Sequence, residues 1–193
     1  MTTFYLCRHG ETESNVAHRL QGWIDTPLTE KGLVPTHKVI ATLGGVKFDA
    51  IYSSDLGRAF VTAYVIGRGL QFPGEIVRLS GLREVNYGEA ANMKAADAYE
   101  KYPRLDRDTH FTPPGGESLA HMQARVLRTL EDIARQHADQ TVLLVAHSGV
   151  MAALRANHLD TDFGEHNISE AYPHDFVAKL KVAGGKVTSF LGI

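Results

Sequence analysis

Cysteine is almost missing from this chain. Cys7 is the single one in 193 residues, so no internal disulfide can form. A chain of this length can bury a full core without such staples, and their absence suits a reducing, cytoplasmic compartment. Long apolar runs are missing too. The first apolar stretch stops after Cys7, too short for a secretory signal, and nothing approaches the roughly 20 apolar residues of a membrane span. Neither sign of charge dominates. A net charge of −2 gives no general attraction to nucleic acid or to an anionic membrane, so neither is expected as a partner. Affinity for an anion must come from arginines gathered locally. Internal repeats, low-complexity tracts, P-loops and dinucleotide-binding fingerprints are also absent.

What is present resembles an ordinary globular domain, expected to occupy residues 1–193 as one unit. Four β-prone apolar runs stand out, at 3–7, 49–53, 75–79 and 141–146. Helical patterns separate them. The clearest is 118–137, where Leu119, Met122, Val126, Leu130, Ile133 and His137 recur every three or four residues behind Ser118 as an N-cap. A second helix is expected over 56–69 and a third over 149–158. Thr29-Glu30-Lys31-Gly32 looks like a helix start, but Pro35 removes a backbone donor, so a late start or a kink is expected. Runs at 176–182 and 187–191 flank Gly184-Gly185 and predict a closing β-hairpin. Strands alternating with helices predict an α/β fold with a mainly parallel central sheet and an antiparallel C-terminal edge.

The reactive side chains fall where such a sheet would gather them. Arg8-His9-Gly10-Glu11 follows the first strand, Ser53-Ser54-Asp55 and Arg58 the second, Arg83-Glu84 the third, and His147-Ser148-Gly149 the fourth. Ligands of open α/β sheets bind beyond the carboxyl ends of the strands, so two histidines, two or three arginines and a carboxylate are expected to meet there. Arginine forks match phosphate oxygens, and phosphoryl transfer needs chiefly positioning and electrostatic stabilisation. A neutral imidazole can attack phosphorus, and neighbouring arginines keep it neutral. A nearby carboxylic acid can protonate a leaving oxygen and then serve as base toward water. None of these steps requires a metal or a cofactor.

Each residue has a plainer reading by itself: His147 as a core histidine, Arg58 as a surface charge, Glu84 as a solvated loop residue. Four coincidences at four strand ends argue against it. Ten histidines raise a metallohydrolase reading, but no H-E-x-x-H spacing exists, and His158, His166 and His174 fall in expected loops. Trp23 and Tyr5 read as packing residues and Cys7 as a small buried hydrophobe. Pro114-Gly115-Gly116-Glu117 reads as a turn leading to a cap.

The segments Leu6-Cys7-Arg8-His9-Gly10-Glu11-Thr12, Arg19-Leu20-Gln21-Gly22-Trp23, Ser53-Ser54-Asp55-Leu56-Gly57-Arg58-Ala59, Leu82-Arg83-Glu84, Gly115-Gly116-Glu117-Ser118 and Val145-Ala146-His147-Ser148-Gly149 together resemble the histidine phosphatase (phosphoglycerate mutase-like) superfamily. The resemblance covers nearly the whole chain. It implies a three-layer α/β/α sandwich with an insertion over the site at about 88–112. It also implies His9 as the nucleophile that becomes phosphohistidine, with Arg8, Arg58 and His147 on the phosphoryl oxygens and Glu84 as proton donor. Asn15, Gln21, Gly22, Tyr87 and Ser148 are expected around the phosphate and the adjoining part of the substrate. The chain departs from common phosphatase members after Glu84, where it reads Tyr87-Gly88-Glu89-Ala90-Ala91-Asn92, and at Pro35-Thr36.

The activity implied is hydrolysis of a small phosphorylated metabolite. A mutase reading follows from the spacing of Tyr87 after Glu84, although 88–112 lacks the adjacent arginine pair of cofactor-dependent mutases. A non-catalytic phosphate-binding module is a third reading, and a homodimer is compatible with all three. Lys94, Lys101, Arg104 and Arg107 suggest a second acidic group on the substrate.

Overall fold

The structure is a computed structural model that describes residues 1–161 and 172–193. Six strands form one sheet: β1 (Thr3–Arg8), β2 (Ala50–Ser54), β3 (Ile76–Leu79), β4 (Thr141–Ala146), β5 (Val177–Ala183) and β6 (Lys186–Gly192). Their order is β3-β2-β4-β1-β5-β6. The first four are parallel, and β5 and β6 add the antiparallel edge. The helices are α1 (Glu13–Val16), α2 (Val34–Leu43), α3 (Gly57–Gly69), α4 (Ala95–Lys101), α5 (Leu119–Gln136) and α6 (Ser148–Leu159).

The middles of the central strands are continuous apolar runs because both faces of the sheet are covered. Tyr5, Cys7, Ile51, Leu143 and Val145 point to one face, against Val39 and Leu43 of α2 and Ala63 and Ile66 of α3. Phe4, Leu6, Tyr52, Val142 and Leu144 point to the other, against Met122, Val126 and Leu130 of α5 and the small residues of α6. This is the three-layer sandwich that the resemblance implied. Burial drives the Cys7 thiol far above its usual range, and Tyr5 packs edge-on against Phe48.

Local sequence accounts for the element ends. The Ser118 hydroxyl accepts from the His121 amide at 3.1 Å, which caps α5. Gly184 and Gly185 both have positive φ, as a two-residue hairpin turn demands. Pro35 sits in the first turn of α2, so the helix starts at Val34 rather than at Thr29. The third helix extends to Leu159, so His158 lies in a helix and not in the loop expected; its Nδ1–H donates to Val187 O at 3.0 Å. His166 lies outside the described residues. The helices α1 and α4 carry too few residues for periodicity to reveal them.

Leu130 is fully buried beneath the sheet. Leu130→Ala is expected to lower the unfolding free energy by about 2–5 kcal/mol, read as a shift in the urea midpoint.

Candidate functional site

The register of the sheet assembles the centre. Arg8 pairs with Ala146 at the ends of neighbouring parallel strands, so the next residue on each strand, His9 and His147, is brought alongside. Their rings stand 5.1 Å apart, and the His9 amide donates to Ala146 O at 2.9 Å. Both rings are buried.

Hydrogen bonds fix the tautomer of each ring. Nδ1 of His9 lies 2.7 Å from the Gly10 carbonyl, which can only accept, so Nδ1 carries the proton and Nε2 the lone pair. Nδ1 of His147 lies 3.4 Å from an Arg58 terminal nitrogen, which can only donate, so in His147 the proton sits on Nε2. The Gly10 amide donates to Thr62 Oγ1 at 3.0 Å, and that hydroxyl donates to Arg58 O at 2.7 Å, tying the loop after β1 to α3.

Arg58 is 2% exposed and is held from behind. Its terminal nitrogens donate to Gly22 O at 2.7 Å and Ile24 O at 2.9 Å, and one pairs with Asp25 Oδ1 at 3.4 Å. Asp25 also accepts from the backbone amides of Gly57 and Arg58, supplying the cap that Leu56 cannot give α3. What remains of the fork faces the two imidazoles, with Nε 3.4 Å from His9 Nε2. Arg8 donates to Tyr172 O at 2.7 Å. Arg8 Nε and His147 Nε2 are buried donors without a hydrogen-bond partner among the described residues. Donors so placed suit an oxyanion.

Glu84 closes the opposite wall. One carboxylate oxygen accepts from the Val85 amide at 2.9 Å and the other from the Gly149 amide at 3.0 Å, at the start of α6. A Cβ on residue 149 would come within 2.1 Å of that carboxylate and would push it away from the Gly149 amide. The Glu84 carbonyl accepts from Trp23 Nε1 at 2.8 Å and from Arg125 at 3.2 Å. Trp23 is 39% exposed, so the packing role expected of it gives way to anchoring this backbone. Arg83 turns away from the centre: it stacks on Trp23 and pairs with Asp55 at 2.6 Å. The third arginine that the strand-end argument allowed is therefore not part of the centre.

Burial, then Arg58 and Arg8, holds the His9 imidazole well below its usual range. His147 is lowered in the same way, with His9 contributing between the two arginines. Burial, followed by the charge of Glu84, pushes the Tyr87 phenol far up, so it keeps its hydroxyl proton. Burial pulls both guanidinium groups down and Glu84 opposes it.

A cavity of about 710 Å³ opens over this centre. Arg8, His9, Asn15, Gln21, Gly22, Arg58, Glu84, Tyr87 and Ser148 line it, while His147 lies fully buried beneath. Asn15 Oδ1 accepts from Thr12 N and Oγ1 in a capping box, leaving its amide nitrogen for a ligand. Gln21 Oε1 accepts from the Thr26 hydroxyl at 2.8 Å, with the same consequence. From 88–112, Ala95, Ala96, Tyr99 and Asp106 reach the cavity wall. Lys94, Lys101, Arg104 and Arg107 do not; Arg104 pairs with Asp108 and Arg107 with Asp106. The outer cation is Arg19, from the first loop. Asp25, Thr62, Trp23, Arg125 and His174 also belong to the assembly; Trp23 and Asp25 fall in the stretch after Arg19 that carries the family resemblance, but without a role at the centre given to them, and no motif in the sequence points to Thr62, Arg125 or His174. Among the described residues, no three His, Cys, Asp or Glu side chains are grouped to hold a metal ion. No helix among them is long and apolar enough to cross a membrane.

Two neutral buried imidazoles have a consequence for stability. Their folded-state pKa values lie below that of an unfolded histidine, so the unfolded chain binds protons that the folded one refuses. Stability contributed this way is full above about pH 6.5 and falls below it, by up to about 1.4 kcal/mol per pH unit for each ring. Urea unfolding from pH 8 to 5 is expected to show that decline, and a His147→Gln variant a shallower one.

Residues 4–186 match the model of the histidine phosphatase superfamily, branch 1. Phosphoserine phosphatase 1 of Hydrogenobacter thermophilus is 32% identical over 203 residues, covering 100% of this chain and 95% of that protein. A 2,3-bisphosphoglycerate-dependent phosphoglycerate mutase of Brucella canis is 36% identical over 162 residues, 79% of each chain. The solved structure of Bacillus stearothermophilus YhfR superposes with a TM-score of 0.83 at 32% identity, covering 97% of this chain and 94% of that one. The chain belongs to the histidine phosphatase superfamily.

Proposed function

We propose that this protein hydrolyses small phosphomonoesters through a phosphohistidine on His9. The observation that carries this reading is the unprotonated Nε2 of His9, set among donors supplied by Arg8, Arg58 and His147. A phosphoryl group in the cavity presents its oxygens to those donors. His9 Nε2 attacks phosphorus, the ester P–O bond breaks, and Glu84 passes to the leaving oxygen the proton that a phosphomonoester monoanion brings into the site. The alcohol departs. Water then enters, Glu84 takes its proton, the oxygen attacks phosphorus, and the N–P bond breaks to release phosphate and neutral His9. Asn15, Gln21, Gly22, Tyr87 and Ser148 surround the phosphoryl group and the first part of the substrate. The segment 88–112 acts as the insertion that shapes the outer wall.

Water as acceptor is favoured by the full-length match to a phosphoserine phosphatase and by the lack of an adjacent arginine pair in 88–112. Tyr87 and the mutase relatives support phosphoryl transfer to a second hydroxyl as the alternative. Asp106, Glu11 and Arg19 on the cavity wall suit a substrate body bearing charges of both signs, which makes phosphoserine the first compound to assay. A cytoplasmic location and a homodimer belong to the same reading. The exposed Val61, Tyr64 and Val77 beside edge strand β3 support the dimer.

His9→Ala is expected to abolish hydrolysis of an aryl phosphate with the circular dichroism unchanged, since no other group can accept the phosphoryl. Near-normal turnover by the folded variant rules out His9 as nucleophile. Glu84→Gln is expected to slow an alkyl phosphate by about 10²–10⁴-fold and an aryl phosphate less, because phenolate leaves with less help. Phosphohistidine should then accumulate and appear by mass spectrometry after alkaline quench. Equal, small losses on both substrates transfer the proton-donor role to another carboxylate.

A further inference from the structure

Beyond the two histidines at the strand ends, a third imidazole reaches the centre from the C-terminal side. His174 Nδ1 lies 2.6 Å from the His9 carbonyl, and the rings stand 5.8 Å apart. A carbonyl only accepts, so Nδ1 of His174 carries a proton and Nε2 is its titratable nitrogen. The ring lines the cavity beside Arg8, His9 and Glu11. The same short stretch supplies Tyr172 O to Arg8, and Asp175 pairs with Lys38 on α2 at 3.0 Å, so the backbone carrying His174 is pinned on both sides.

We propose that His174 is a positioning residue for His9 and, on taking a proton from solvent, a further hydrogen-bond donor to the bound phosphoryl group. The inference rests on the phosphatase reading above. Two opposing sets of charges face the ring. Arg8 disfavours its cationic form, while Glu11, Asp175 and the bond to His9 favour it; Lys38 lies behind Asp175. In the free protein, burial and Arg8 prevail and the ring is held below its usual range. A phosphoryl dianion entering the cavity adds negative charge beside Arg8 and reverses that balance, so binding draws in a proton. The second nitrogen, a bare acceptor that opposes an oxyanion when neutral, then becomes a donor.

Asparagine separates the two roles, because its amide N–H can donate to the His9 carbonyl but cannot titrate. With an aryl phosphate as substrate, His174→Ala is expected to lower kcat and His174→Asn to restore most of it. The Ki of inorganic phosphate, measured from pH 5 to 8.5 on wild type and His174→Asn, tests the proton-linked role. The ionisation of phosphate itself is common to both proteins and cancels in their ratio. The ratio of variant to wild-type Ki is expected near one at pH 8.5 and about tenfold at pH 5, as one charge-assisted hydrogen bond predicts. A ratio that is flat with pH overturns the donor role, and wild-type kcat in His174→Ala overturns the positioning role. A wild-type protein that neither hydrolyses the aryl phosphate nor binds phosphate overturns the phosphatase reading itself, a result distinct from either.

Discussion

A guanidinium that is 2% exposed must find acceptors for nearly all of its N–H groups, and the way Arg58 finds them organises the whole centre. The carbonyls of Gly22 and Ile24 and the carboxylate of Asp25 take the outer side of the fork. Its inner side is thereby left to face His9 and His147. Because a guanidinium only donates, it sets the lone pair of each imidazole toward itself. Its charge also adds to burial in keeping both rings neutral. Leaving a buried charge like this one without partners typically costs about 3–5 kcal/mol, so the loop around residue 22 is as much a part of the centre as the residues facing the cavity.

The sheet supplies the other constraint. Parallel pairing of β1 with β4 in the register Arg8↔Ala146 requires the two histidines to emerge side by side. That register is pinned by apolar side chains on both faces, since a one-residue slip would exchange every contact with α2 and α3 for one with α5 and α6. The chemistry therefore inherits its precision from core packing.

Glu84 is located less by its own strand than by its neighbours. The Gly149 amide at the start of α6, the Val85 amide, Trp23 and Arg125 all bind its carboxylate or its carbonyl. Arg125 is fixed in turn by Glu117 at 2.6 Å, which joins the turn before α5 to the site. Glycine at 149 lets the carboxylate approach the helix start closely, where the helix dipole adds to the amide donors.

The succession of strands and longer helices, the two-sided apolar strands, the hairpin and the gathering of Arg8, His9, Arg58, Glu84 and His147 at the strand ends were determined by the sequence itself. These features depend on local periodicity, on turn chemistry and on the rule that parallel strands share their carboxyl ends. Tertiary structure decided which N–H meets which carbonyl. It gave the proton of His9 to Nδ1 and that of His147 to Nε2, and it turned Arg83 outward onto Trp23. It made Asp25 the partner of Arg58 and kept Lys94, Lys101, Arg104 and Arg107 off the cavity wall. It also set His174 against a residue 165 positions earlier in the chain. Hydrogen bonds of this kind carry no sequence spacing, because their geometry exists only once distant loops have been brought together by the core.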